Sequence, residues 1–147
     1  MRLTRFSDIG LRVLMYLVDQ QPEQVITVAE ISSQFNVPHN HVVKVVGALA
    51  KLGLIQATRG RNGGVRLMAA PRAVKVGTVL RALEGDKEAV DCEGIECRLA
   101  GDCFLRKALR EGVDAFYNAM NRYTLADLVA SGAGEKIVQM HQLFLQR

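Results

Sequence analysis

Residues 27–53 have the sequence TVAEISSQFNVPHNHVVKVVGALAKLG, and this stretch decides the fold. Thr27 and Glu30 have the spacing of a capping box, in which the threonine accepts from the amide three residues on and the glutamate reaches back. A short helix is therefore predicted over about 28–35. Asn36-Val37-Pro38 breaks it, and apolar residues at helical spacing predict a second helix over about 39–52, which Gly53 ends as a left-handed cap. Two helices joined by so short a turn predict a helix-turn-helix.

The flanking segments extend this motif to a winged helix. Apolar residues at three- and four-residue steps predict a first helix over about 7–20. After Gly53, two short apolar segments at 54–58 and 65–68 surround a Gly-rich turn and predict a β-hairpin. Three helices followed by a hairpin is the order of a winged helix. The predicted fold is mainly α, a winged helix-turn-helix with a small β-hairpin wing, followed by a long dimerisation helix.

The rest of the chain predicts three further helices and a loop. A fourth helix is expected over about 74–84, and residues 86–103 have no helical or strand period. A long helix over about 104–129 would carry an apolar stripe, formed by Leu105, Leu109, Val113, Phe116, Met120 and Tyr123. At about 39 Å this helix is longer than a winged-helix domain can cover, so we expect its stripe to pack on its twin in a homodimer. A last helix is predicted over about 135–146.

Charge divides the chain into three regions. Residues 1–72 hold nine Lys and Arg against four Asp and Glu, residues 73–103 hold four against seven, and residues 104–147 hold six against four. Basic side chains that neutralise phosphates release counterions, so the first region suits a polyanion. We predict a winged-helix DNA-binding domain over 1–72, a linking helix and cysteine segment over 73–103, and a dimerisation helix and C-terminal helix over 104–147.

Polar side chains gather where the second helix of the motif would enter the major groove of double-stranded DNA. The predicted contacts are His39, Asn40, His41, Lys44 and Lys51 on that helix and Arg59, Arg61 and Asn62 in the wing. Asparagine can bond bidentately to adenine, and histidine or lysine can serve bases or phosphates. Arginines of a wing can reach phosphates or the minor groove. A winged helix used for protein contacts is the alternative.

Three cysteines, Cys92, Cys97 and Cys103, lie in the acidic region and cannot all pair within one chain. A reduced, cytosolic setting is therefore expected. Structural zinc sites use closer cysteine pairs than these, whereas thiolates on a flexible loop suit an iron–sulfur cluster. Three thiolates are one short of the four ligands of a 4Fe-4S cluster. The fourth must come from elsewhere in this chain, from a partner subunit or from a small molecule, and the candidates in the sequence are Asp8, the three histidines and the loop acids. A structural zinc or redox-thiol site stays an alternative.

Several classes of protein are disfavoured. Asp8, Arg12 and Asp19 interrupt the first apolar run, which argues against a secretory signal, and no run of eighteen apolar residues predicts a membrane helix. The three histidines have no evident nucleophile partner, and Gly60 to Gly64 does not match a phosphate-binding loop. We expect a protein that is not an enzyme and has no membrane partner.

Five motifs carry a family resemblance: MRLTRFSD at 1–8, NHVVKV at 40–45, RNGG at 61–64, the cysteine spacing, and YTLADLV at 123–129. Nearly end to end, the chain resembles the NsrR family, the nitric-oxide-sensing repressors within the Rrf2 class of bacterial winged-helix regulators. Relatives that sense cluster supply carry a histidine shortly after the third cysteine, and Phe104-Leu105-Arg106-Lys107 has none. The resemblance therefore favours nitric-oxide sensing, with sensing of cluster supply or redox state as the alternative.

The resemblance implies a homodimeric, cytoplasmic, nucleoid-associated repressor. It implies one 4Fe-4S cluster per subunit, or a 2Fe-2S form, held by Cys92, Cys97 and Cys103, with Asp8 of the partner subunit as the fourth ligand. It also implies that the repressor binds a pseudo-palindromic operator on double-stranded DNA. Nitric oxide would nitrosylate the cluster, lower operator affinity and derepress nitric-oxide-detoxification genes.

Overall fold

The computed structural model describes residues 2–18, 24–58, 60, 63–85, 88–92, 94, 97–99, 103–130 and 132–146. Within these residues the elements are α1 (Arg5–Val18), α2 (Val28–Phe35), α3 (His39–Lys51), β1 (Ile55–Ala57), β2 (Val65–Leu67), α4 (Val76–Glu84), α5 (Phe104–Met120), α6 (Leu125–Val129) and α7 (Ala133–Leu145). Three helices followed by an antiparallel hairpin confirm the predicted winged helix. No helix in the described part of the chain is both long and apolar enough to span a bilayer.

α1 lies at the centre of the core. Its Val13 and Leu14 are fully buried, and α3, α4, β2, α6 and α7 all contact this helix. Val129 of α6 and Ile137 of α7 belong to the same apolar cluster as Leu49 of α3. The C-terminal helices therefore fold back onto the helix-turn-helix.

Left-handed residues end both helices of the helix-turn-helix. Asn36 has a φ of 49° after α2, and Gly53 has a φ of 70° after α3. Leu54 N–H donates to the carbonyl of Leu49 at 3.1 Å across Gly53, which is the bond of a Schellman ending. The predicted cap at Gly53 is confirmed.

The capping box predicted at the start of α2 is half right. Thr27 Oγ1 accepts the Glu30 N–H at 3.1 Å, as expected. The Glu30 side chain turns into the core instead of back over the start of the helix, and it pairs with Tyr16 and His141. The prediction for Glu30 is wrong because groups of α1 and α7 hold its carboxylate.

β1 and β2 form the stem of the predicted wing, with Ile55 opposite Leu67. Thr58 closes the stem, since its N–H donates to the Gly64 carbonyl at 2.9 Å and its Oγ1 accepts the Gly64 N–H at 3.1 Å. A Cβ at Gly64 would lie 2.9 Å from the Ile26 carbonyl oxygen, so a side chain would not fit there. This close approach joins the wing to the segment before α2.

The single helix predicted over 104–129 is wrong, because α5 ends at Met120 and α6 begins at Leu125. The connecting residues pair with the segment before α4: Val76 N–H donates to the Tyr123 carbonyl at 3.0 Å, and Leu125 N–H donates to the Val74 carbonyl at 2.9 Å. A capping box of Thr124 and Asp127 then starts α6. α5 has 17 residues and is about 26 Å long.

The break also divides the predicted apolar stripe. The C-terminal part of α5 packs against Val76 and Leu80 of α4 through Val113, Phe116 and Met120. Phe104 and Leu105, at the other end of α5, are exposed. Of the predicted stripe, Leu105 at the start and Tyr123 at the end are thus exposed in the single chain.

Candidate nucleic-acid interface and metal centre

α3 presents a polar stripe to solvent. Asn40, Lys44 and Lys51 are exposed, and their spacing places them on one side of the helix. Gly47 lies on the same side, with open space where a Cβ would be. The opposite side is buried in the core through Val42, Val45, Val46 and Leu49. The predicted contacts from the middle of α3 therefore share one open surface, which we call the α3 stripe.

The first turn of α3 adds His39 and His41, both exposed. This turn contains no acidic residue, so no carboxylate neutralises the partial positive charge at the N-terminus of the helix. Val43 was not among the predicted contacts, yet it is 47% exposed next to Lys44. Its position outside the buried apolar stripe was the available signal. A valine on this side can contact the methyl group of thymine.

The predicted wing contacts Arg59, Arg61 and Asn62 lie outside the described residues. In the stem that leads to them, Gln56 and Arg66 are opposite each other and exposed. Arg66 was not predicted, although the alternation along β2 puts it on the solvent side. It adds a guanidinium group to the wing.

The three cysteines are free thiols of intermediate exposure. Cys97 N–H donates to the Cys92 carbonyl at 3.2 Å, which holds two of the three predicted ligands close in the main chain. Cys103 is the N-cap of α5. Among the residues that the structure describes, no three His, Cys, Asp or Glu side chains are close enough to hold a metal ion. The fold presents the thiols near solvent but does not bring all three to one point.

Asp8 lies on the first turn of α1 and is half exposed. Its Oδ1 accepts from Arg12 Nε at 2.9 Å. One turn earlier, Thr4 donates its N–H to Glu84 Oε1 at 2.8 Å and its hydroxyl to the same oxygen at 3.0 Å. Because Glu84 is the last residue of α4, the start of α1 lies beside the point where the chain leaves α4 toward the cysteines.

The chemistry of these donors suits an iron–sulfur cluster. Thiolates are the usual ligands of such clusters, and none of the three thiols is buried or used in a disulfide. An exposed carboxylate such as that of Asp8 is a hard oxygen donor that iron accepts. The residues present therefore fit the group that the resemblance implies.

Glu88 joins the beginning of the cysteine segment to α5. Its Oε2 accepts from Arg106 Nε at 2.6 Å, its Oε1 accepts from Arg106 Nη2 at 2.7 Å, and Arg110 also donates to Oε1. The hydrogen bonds from Arg106 and Arg110 lower the pKa of Glu88 to about 2. These pairs were not predicted. The signal was two arginines four residues apart on α5, following an acidic segment.

A buried polar cluster connects α1, α2 and α7. Glu30 Oε1 accepts from the Tyr16 hydroxyl at 2.6 Å and lies 2.5 Å from His141 Nδ1. None of the three side chains is more than 3% exposed. Burial, and then the hydrogen bond to Glu30, raise the pKa of Tyr16 above its ordinary value. Gln34 Nε2 also donates to the Met140 carbonyl at 2.8 Å, so α7 holds the first helix of the helix-turn-helix at two points.

Residues 3–131 match the model of the Rrf2 family, which is described as an iron-dependent transcriptional regulator. The chain is similar to the HTH-type transcriptional repressor NsrR of Streptomyces coelicolor, with 44% identity over 136 residues that cover 91% of this chain and 92% of the relative. It is also similar to the HTH-type transcriptional regulator NsrR of Halalkalibacterium halodurans, with 37% identity over 134 residues that cover 89% and 92%.

Solved structures share the fold. The global cysteine regulator CymR of B. subtilis has a TM-score of 0.69 at 24% identity, covering 88% of this chain and 97% of that one. IscR of T. potens has a TM-score of 0.68 at 22% identity, covering 90% and 88%. At these identities the likeness concerns the fold alone.

Proposed function

The chain belongs to the Rrf2 family of transcriptional regulators, and from this premise we propose that it is a repressor that responds to nitric oxide through an iron–sulfur cluster. Its relatives are transcriptional regulators and not enzymes. Membership of this family implies that the chain binds DNA. The observation that carries the nitric-oxide proposal is the set of three free thiols in a chain 44% identical to an NsrR repressor.

We assign the operator contacts to the α3 stripe, to His39 and His41, and to the wing. Asn40 is suited to read a base edge, while Lys44 and Lys51 can neutralise phosphates. In a homodimer, two such helices would enter successive major grooves about 34 Å apart on a pseudo-palindromic operator.

Cys92, Cys97 and Cys103 would hold the cluster, with Asp8 of the partner subunit as the fourth ligand. When bound, the cluster supplies iron that reacts with nitric oxide. A carboxylate would hold iron less firmly than a thiolate, so the partner's Asp8 would be the weakest of the four ligands. Arg12, whose Nε lies 2.9 Å from Asp8 Oδ1 in the same chain, would stabilise this carboxylate whenever it is not bound to iron.

α1 provides the connection from Asp8 to DNA. At Gly10, two residues after Asp8, a Cβ would lie 2.4 Å from Leu83 of α4 and 3.8 Å from Val45 of α3. Because α1 packs so closely on its neighbours, a movement at the start of α1 would shift α3, the recognition helix of the proposed DNA-binding motif. Release of Asp8 would therefore change the spacing of the two recognition helices and weaken operator binding.

The test begins with anaerobic protein and a duplex that this protein selects from a random DNA library. We expect iron and sulfide in the preparation, visible absorbance, and loss of duplex binding on adding stoichiometric nitric oxide. Cys97→Ala should abolish the cluster. Asp8→Ala should keep a cluster with an altered spectrum or a weaker response of DNA binding, whereas Glu135→Ala, which removes an exposed carboxylate on α7, should behave like the wild type.

Two results would contradict the proposal. Colourless protein that contains zinc and binds the duplex equally with and without nitric oxide would favour the structural zinc alternative. Protein that loads a cluster but keeps its operator affinity under nitric oxide would favour a sensor of cluster supply or redox state.

A further inference from the structure

Glu88 and Arg106 stand at the two ends of the cysteine segment. Glu88 lies four residues before Cys92, and Arg106 lies three residues after Cys103 on the first turn of α5. Two hydrogen bonds of 2.6 and 2.7 Å connect the carboxylate to the guanidinium in a bidentate arrangement. The pair thus closes a loop that contains all three cysteines.

The contact between Glu88 and Arg106 has more hydrogen bonds and less exposure than an ordinary surface ion pair. Isolated exposed pairs contribute little, because two long side chains must be ordered in water. Here Glu88 and Arg106 are each about 30% exposed, the contact is bidentate, and Arg110 donates to the same carboxylate. The planar guanidinium of Arg106 donates two parallel hydrogen bonds, which fix both the distance and the direction of the contact.

Closing the loop reduces the conformational entropy that the cysteine segment loses when a metal binds. Three thiols spread along the chain from Cys92 to Cys103 must be brought together, and that ordering opposes binding. When the segment is already held at both ends, fewer conformations remain to be lost. A main-chain hydrogen bond already holds Cys97 near Cys92, and the third cysteine, Cys103, is fixed at the N-terminus of α5.

We propose that Glu88 is a positioning residue for the metal centre: by pairing with Arg106 and Arg110 it holds the cysteine segment against α5 so that the three thiols can bind one centre. This inference rests on the proposed function, because it presumes that the cysteines bind metal. It adds that the affinity depends on an ion pair that touches no ligand atom. Residues that hydrogen-bond a metal ligand typically change metal affinity by about 10- to 100-fold when they are replaced, and for Glu88, which acts through the chain and not on a ligand, we expect the lower end of that range.

The experiment uses Co²⁺ as the probe, on reduced full-length protein without its cluster. Thiolate-to-cobalt charge-transfer absorbance reports binding by cysteine directly and does not depend on DNA binding or nitric oxide. Glu88→Gln is expected to weaken Co²⁺ binding about tenfold. Arg106→Lys keeps the positive charge but cannot donate two parallel hydrogen bonds to Glu88, and it should also weaken Co²⁺ binding. Glu111→Gln, which makes the same charge change at an exposed position of α5, should match the wild type.

A further comparison separates positioning from general destabilisation. Far-ultraviolet circular dichroism of the metal-free proteins should be the same for Glu88→Gln and the wild type, and urea unfolding of Glu88→Gln should remain a single cooperative transition, so that a loss of Co²⁺ affinity is not a loss of fold. In a Glu88→Gln/Arg106→Lys double variant, the loss of Co²⁺ affinity should be no larger than that of the more affected single variant, because both changes break the same contact.

The outcomes distinguish the two proposals. If the wild type gives no charge-transfer absorbance, or Cys97→Ala gives the same absorbance as the wild type, the proposed metal-binding role of the cysteines is overturned, and this inference with it. If the wild type binds Co²⁺ through its cysteines and Glu88→Gln binds it equally well, the positioning role alone is overturned. Equal weakening in Glu111→Gln would also overturn it, since net charge would then be the cause.

Discussion

Glu30 places a carboxylate in the core, between α1 and α7. Because the Tyr16 hydroxyl donates to it at 2.6 Å with both groups buried, removing that hydroxyl leaves a buried acceptor with one donor fewer. Tyr16→Phe is expected to lower the free energy of unfolding by about 1–3 kcal/mol, measured by urea unfolding. Tyr123→Phe removes the same group from a half-exposed ring and should change it by less than about 0.5 kcal/mol. Equal effects of the two changes would contradict this account.

The pKa of Tyr16 also predicts how stability depends on pH. Since folding raises it above the ordinary value of about 10, the contribution of the neutral hydroxyl is complete below about pH 10 and is lost as the pH rises through the folded value. For this group, the free energy of unfolding should fall by up to about 1.4 kcal/mol per pH unit above about pH 10. Urea unfolding between about pH 9 and 11 should therefore show a steeper fall for the wild type than for Tyr16→Phe; parallel curves would contradict the prediction.

α3 is the element whose function can be tested most directly. Lys44 lies on its exposed stripe, and a lysine that neutralises one phosphate contributes about 0.9 to the slope of log affinity against log salt. Lys44→Ala should therefore weaken binding to the selected duplex at low salt and reduce that slope by about 0.9 per subunit, or about 1.8 for a dimer on two half-sites, measured by fluorescence anisotropy. Lys136→Ala, at an exposed position of α7, should leave the slope as it is. An unchanged slope in Lys44→Ala would remove Lys44 from the phosphate contacts.

The helices also show which signals a single sequence contains. The cap at Gly53, the break at Asn36-Val37-Pro38 and the buried side of α3 depend on neighbours within a few residues, and the structure has them as predicted. The end of α5 depends instead on residues 123–125 pairing with 74–76, about 50 residues away, and this pairing overrides a continuous apolar stripe. The Thr124 to Asp127 spacing was a local signal for the break, but a capping box alone does not exclude a longer helix.

The candidate site divides in the same way. The exposed side chains of α3 and the three cysteines could be identified from residue type and spacing. Glu88 could not be paired with Arg106, because four other acids lie between the two residues in the sequence, Asp91, Glu93, Glu96 and Asp102, and the spacing does not select among the five. Glu30 could not be assigned to His141, since 111 residues separate the two partners. Contacts that close large loops need the fold, whereas helix ends and exposed stripes do not.

The exposed beginning of α5 is the surface on which we expect a second copy of the chain to pack. Phe104 and Leu105 lie next to each other at the start of this helix, and Leu105 is 63% exposed. Large apolar side chains grouped on one surface are typical of an interaction site, and an operator with two half-sites requires two recognition helices. We therefore expect the interface to include the first turns of α5, close to Cys103 and to the arginines that hold Glu88.

Leu105→Asp tests this interface with a charge that a dimer would have to bury. Burying an unpaired carboxylate is unfavourable by several kcal/mol, so the variant should sediment as a monomer at concentrations where the wild type is a dimer. Leu143→Asp is the matched control, because Leu143 is 60% exposed on α7, and this variant should stay dimeric. The monomeric variant should also lose affinity for the selected duplex, since each subunit then binds one half-site alone. A dimer that survives Leu105→Asp, or that dissociates equally in Leu143→Asp, would place the interface elsewhere.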